Sequence, residues 1–117
     1  MKHLYTTVLI LHFLLEALAA LSLIAGPGGI AAMGQGGQWS MHYGFAALAL
    51  ASISLWAWPH RENYTVATLV LGVFMVFHIG LTISLAVAGD QAAGMIGHAV
   101  MSVLSIIAFT ARAKWCN

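Results

Sequence analysis

Residues Tyr64 to Ala88 read YTVATLVLGVFMVFHIGLTISLAVA, with no Asp, Glu, Lys or Arg anywhere in the run. About 20 apolar residues suffice for a helix to cross the hydrocarbon core of a bilayer, so this stretch predicts a transmembrane helix. It also contains His78. An ionisable side chain in hydrocarbon is costly, which makes it a candidate functional residue by position alone.

Working outward, the pattern repeats. Helices are expected over about 4–25, 39–58, 64–88 and 91–112, and each carries one interior histidine: His12, His42, His78 and His98. Gly26-Pro27-Gly28-Gly29 ends the first stretch, Pro59-His60-Arg61-Glu62-Asn63 separates the second from the third, and Gly89-Asp90 stops the third. Between the first two helices, Ile30 to Met33 is expected to form a short interfacial turn. The expected fold is all-α: an integral membrane four-helix bundle, up-down, in a single domain of residues 1–117.

Composition agrees. Of 117 residues, 62% are hydrophobic and 6% charged, against roughly 25% charged in soluble domains. A net charge of +1 with no basic stripe argues against nucleic acid. Lys2 before an apolar run resembles a signal peptide, and Ala17-Leu18-Ala19 resembles a cleavage site. Glu16 inside that run, and its continuation to Ala25, favour a retained helix instead. The single cysteine, Cys116, cannot form an internal disulfide.

The only four Lys and Arg residues are Lys2, Arg61, Arg112 and Lys114. With four spans they fall on one side, and the other side has only Asp90 as a charge. The positive-inside rule then puts both termini in the cytoplasm, in keeping with a bacterial inner-membrane location. Tyr5, Trp56, Trp58, Tyr64 and Trp115 mark the basic interface, and Trp39 and Tyr43 the other.

Helical rise converts sequence position into depth from the non-cytoplasmic side. His42 lies about one turn in, His98 about 10 Å, Glu16 about 13 Å, His78 about 15 Å and His12 about 20 Å. Glu16, His78 and His98 therefore share a layer. His12 and Glu16, spaced i, i+4, share a face. Gln38, Asp90 and Gln91 sit near the mouth. Small residues (Gly44, Ala46, Ala47, Ala51, Ser52 and Ser54 on the second helix; Gly80, Thr82 and Ser84 on the third; Gly94, Gly97, Ala99 and Ser102 on the fourth) allow close helix contact or room for a planar cofactor.

Three readings of the histidines stand side by side. In the leading one, His12 with His78 and His42 with His98, or His78 with His98 alone, are axial ligands of haem b. Glu16 would then tune the site or relay protons, and electrons would pass to a quinone or partner protein. In the second, Glu16, His78 and His98 hold a transition-metal ion or handle protons. In the third, the histidines are hydrogen-bonded packing residues of a structural or accessory membrane subunit. His3 and His60 belong to the cytoplasmic surface. The methionines form no copper-type run, and neither Gly-rich segment has the context of a phosphate loop. No catalytic triad is visible.

The layout resembles the small four-helix DoxX-like membrane proteins. The resembling features are a first helix ending in Gly26-Pro27-Gly28-Gly29, a long outer segment, a helix opening with His42-Tyr43-Gly44-Phe45-Ala46-Ala47, a tight basic turn and two further apolar helices. That resemblance implies a membrane subunit associated with quinone-linked oxidoreductases; it implies nothing about the histidines. So little polar surface also points to assembly as a homo-oligomer or within a larger membrane complex.

Overall fold

The computed structural model describes residues 2–27, 29, 37–89 and 91–116. Among these there is no β-strand. The elements are α1 (Lys2–Ala25), α2 (Gly37–Ala57), a 3-10 turn (Trp58–His60), α3 (Tyr64–Ala88), α4 (Ala92–Ala111) and a closing 3-10 turn (Arg112–Lys114). The expected turn over Ile30–Met33 and the mouth position Asp90 lie outside the described residues. Three helices are long and apolar enough to cross a membrane: α1, α3 and α4 with its 3-10 extension. The second helix, expected as a fourth span, is not among them. Its opening turns carry Gln38, Ser40, His42 and Gly44, which dilute its apolar character.

The chain divides into two compact units, residues 1–11 with 57–117 and residues 12–56; the division falls within α1.

In the first unit, α3 begins where Asn63 supplies an N-cap: its Oδ1 accepts the Val66 N–H at 3.0 Å. The helix ends at Gly89, whose left-handed backbone (φ 73°) lets its N–H reach the Leu85 carbonyl at 2.9 Å. A glycine costs nothing sterically in that conformation. The short connection to α4 makes the two helices neighbours, and both bury a stripe at helical spacing. On α3 the stripe is Ala67, Val70, Leu71, Phe74 and His78; on α4 it is His98, Met101, Ser102, Ser105, Ala108 and Ala111. Tyr5, Val8 and Leu9 of α1 are also buried, and the Tyr5 ring packs on Trp115 at 4.8 Å between centroids. Lys2 forms an ion pair with Glu62 at 2.6 Å, tying the N-terminus to the turn before α3.

In the second unit, α1 and α2 pack through small side chains. Ala20, Ala47 and Ala51 are buried, and Ser40 Oγ donates to the Leu23 carbonyl at 3.1 Å. At Gly44 a Cβ would stand 2.6 Å from Ile24 Cγ1 and 3.1 Å from Leu23 Cβ. The small-residue stretch of α2 is therefore used at Gly44 for close helix approach.

Candidate functional site

Within the first unit the two interior histidines meet. His78 and His98 project from the buried stripes of α3 and α4, and their Nδ1 atoms lie 2.8 Å apart. The ring centroids are 5.1 Å apart with planes tilted by 36°. At that separation one Nδ1–H donates to the other ring's Nδ1 lone pair, so the neutral rings hold opposite tautomers. His78 is fully buried and His98 is 6% exposed.

Both rings stand in an aromatic wall. Phe77 lies 5.2 Å from His78 and 5.9 Å from His98, edge-on to the latter. Phe74 contributes a further edge contact at 6.2 Å. One helical turn beyond each histidine, a hydroxyl bonds back to its carbonyl: Thr82 Oγ1 to His78 at 2.7 Å, and Ser102 Oγ to His98 at 2.9 Å. These bonds occupy the hydroxyls locally and keep them from competing for the imidazoles.

In the second unit His12 is fully buried, and its Nε2 lies 3.0 Å from the Leu50 carbonyl. A carbonyl can only accept, so Nε2 carries the proton and Nδ1 of the neutral ring carries the lone pair. A histidine whose second nitrogen donates to a backbone carbonyl has the outer-shell partner typical of a metal ligand. Glu16, one turn further along α1, is also fully buried. His12, Glu16 and Ala20 form a buried line at i, i+4 spacing, as the sequence spacing requires.

His42 is different. It is exposed on α2, with its ring edge-on to Trp39 at 5.8 Å. An aromatic pair on an exposed face is what interfacial solvation of His42 calls for, and it sets His42 apart from the buried donors. His3 and His60 are exposed too.

Two features escaped the sequence reading. The Leu50 carbonyl has no signature, because any helical carbonyl keeps a second lone pair. The hydroxyl at the fourth position after each paired histidine, Thr82 and Ser102, was legible as a shared spacing. The buried groups are nitrogen and carboxylate donors of the kind that zinc, iron or copper takes.

Two separated nitrogens of one metal ion, each about 2.0–2.1 Å from it, stand roughly 3 Å apart when adjacent in the coordination sphere. The 2.8 Å approach of His78 and His98 is close to that. Axial ligands of one haem iron stand on the order of 4 Å apart with the porphyrin plane between them (twice a metal–nitrogen bond). The 2.8 Å contact between these two rings is shorter than that separation.

Compared with known protein families, with characterised proteins and with solved structures, the chain matches none.

Proposed function

We propose that the protein is an integral membrane protein, with four spans and cytoplasmic termini, that holds a transition-metal ion through its buried histidines. His78 and His98 are the paired nitrogen donors. In the second unit His12 and Glu16, spaced i, i+4, offer a further nitrogen and a carboxylate. The observation that carries the reading is the buried pair at 2.8 Å. His12 and Glu16 of the second unit are fully buried as well.

What the ion would supply is Lewis acidity or a one-electron couple. The chain's own residues do the rest. Phe74 and Phe77 keep water from the imidazoles, the Leu50 carbonyl holds the His12 tautomer, and Glu16 balances charge or takes a proton. A membrane subunit of this kind would exchange electrons or protons with a quinone or a partner protein, the setting that the DoxX-like layout implies. In the absence of an ion, the same pair holds one proton between two imidazoles. That makes proton handling the second reading of the same contact.

Elemental analysis of detergent-purified full-length protein, after growth with added zinc, iron and copper, tests the metal. Stoichiometric metal that is lost in His78→Ala, His98→Ala and Glu16→Gln is expected. Metal-free wild-type protein, or metal unchanged in all three variants, overturns the reading. An optical spectrum of the same sample, oxidised and reduced, tests haem: a Soret band lost with His12→Ala and His78→Ala would put haem in place of the bare ion.

A further inference from the structure

The first unit has, on its outer side, an apolar groove of about 690 Å³ lined by Thr68, Leu69, Gly72, Val73, Val76 and Phe77 of α3 and by Phe109 of α4. Nothing in the structure fills its floor at Gly72: a Cβ built there would meet no atom within 4 Å. From Thr68 to Phe77 the groove follows α3 for some 14 Å, at about 1.5 Å per residue. That is close to the hydrocarbon depth of one leaflet, half of a core roughly 30 Å thick.

One end of this groove is charged. Arg112 Nε donates to Thr68 Oγ1 at 2.8 Å, and Arg112 Nη1 donates to the Phe109 carbonyl at 2.5 Å. Thr68 and Phe109 are both groove residues. Thr68 is itself fixed, since its hydroxyl donates to the Tyr64 carbonyl at 2.8 Å. The guanidinium lies over the Phe109 ring at 3.7 Å and within 5.1 Å of the Tyr64 ring. Among the described residues Arg112 has no carboxylate partner. The fork has five N–H donors and these bonds use two of them.

The geometry points to a bound anionic phospholipid, with one acyl chain laid in the Gly72 groove and its phosphate on the Arg112 guanidinium. The two halves of the molecule answer two independent features. An apolar channel one leaflet deep takes a chain, and a preoriented, uncompensated cation at its polar end takes a phosphate. A zwitterionic lipid would gain the first contact, but its own ammonium would offset the second. The proposal does not rest on the metal reading, since Arg112, Thr68 and Gly72 take no part in it and the two share only Phe77.

The test uses full-length protein in detergent, titrated with dioleoylphosphatidylglycerol or dioleoylphosphatidylcholine and read by native mass spectrometry, with circular dichroism to check folding. The phosphatidylglycerol should bind about fivefold more tightly, the effect of one basic residue on one anionic headgroup. Arg112→Gln should level the two lipids. Gly72→Leu should lower binding of both, because the new side chain enters the groove without displacing protein atoms. Inorganic phosphate should fail to displace the phosphatidylglycerol. Equal retention of the two lipids by the wild type, undiminished binding in folded Gly72→Leu, or displacement by inorganic phosphate each overturns the proposal.

Discussion

His78 on α3 and His98 on α4 share a hydrogen bond, Nδ1 to Nδ1 at 2.8 Å, and each is followed four residues later by a hydroxyl bonded to its carbonyl. His98→Ala removes this buried bond and the ring that packs against Phe77. It should therefore lower stability by about 1–3 kcal/mol, the usual scale for losing one partner of a buried hydrogen bond. A drop in the thermal unfolding midpoint of metal-free protein checks this. His98→Asn, which can restore a hydrogen bond, should recover part of the loss while still failing to retain metal.

At Gly44 an added methyl would meet Ile24 and Leu23, whereas at Gly72 it would meet nothing. Gly44→Ala is expected to destabilise the protein by about 1–3 kcal/mol through overpacking. Gly72→Ala is expected to stabilise it by roughly 0.5–1 kcal/mol through the reduced backbone entropy of the unfolded chain. Paired thermal melts in one detergent would show shifts of opposite sign.

The Lys2 ammonium beside Glu62 holds that carboxyl below its ordinary range, through a hydrogen bond and then through charge attraction, with Arg61 adding to it. A carboxyl whose folded pKa is depressed contributes stability above its unfolded pKa and loses that contribution as pH falls through the folded value. Acidification should therefore release the N-terminal tie. Lys2→Gln should flatten the acid limb of the stability–pH curve and return the Glu62 titration, followed by carbon NMR, towards its ordinary value. Because both groups are exposed, salt should weaken the effect.

Orientation can be read from the native cysteine. Burial and the Glu62 charge raise the Cys116 thiol's pKa, and Arg112 acts in the opposite direction. Labelling by a membrane-impermeant maleimide should therefore be faster at alkaline pH. With a cytoplasmic C-terminus, inside-out vesicles should label and intact spheroplasts should not; the reverse pattern would invert the topology.

How much of this was legible in the chain is best judged residue by residue. The approximate limits of α3 were readable from the polar turn over residues 59–63 and the Gly89 stop, while the Asn63 cap that fixes the first turn came only with the structure. That His12 and Glu16 share one face followed from i, i+4 spacing alone, whereas the burial of that face did not. The fate of His42 was not readable. Its helix has no one-sided apolar pattern, so periodicity could not say which side faces inward, and only the structure puts it beside Trp39 on an exposed face. The meeting of His78 with His98 was narrowed by depth but not fixed by it, because depth says nothing of helix rotation. The Arg112–Thr68 bond, with 44 residues between its partners, left no local trace.

Phe77 belongs to two surroundings at once. Phe77 lines the open groove, and its ring also stands 5.2 Å and 5.9 Å from the two imidazoles. A single benzene ring thus touches both the groove and the two histidines. Thermodynamic linkage makes the result reciprocal: a groove occupant that alters the ring's packing changes ion affinity at the imidazoles by the same factor by which the ion changes the occupant's affinity. Swapping Phe77 for Leu should uncouple the two, with each binding event measured in the presence and absence of the other.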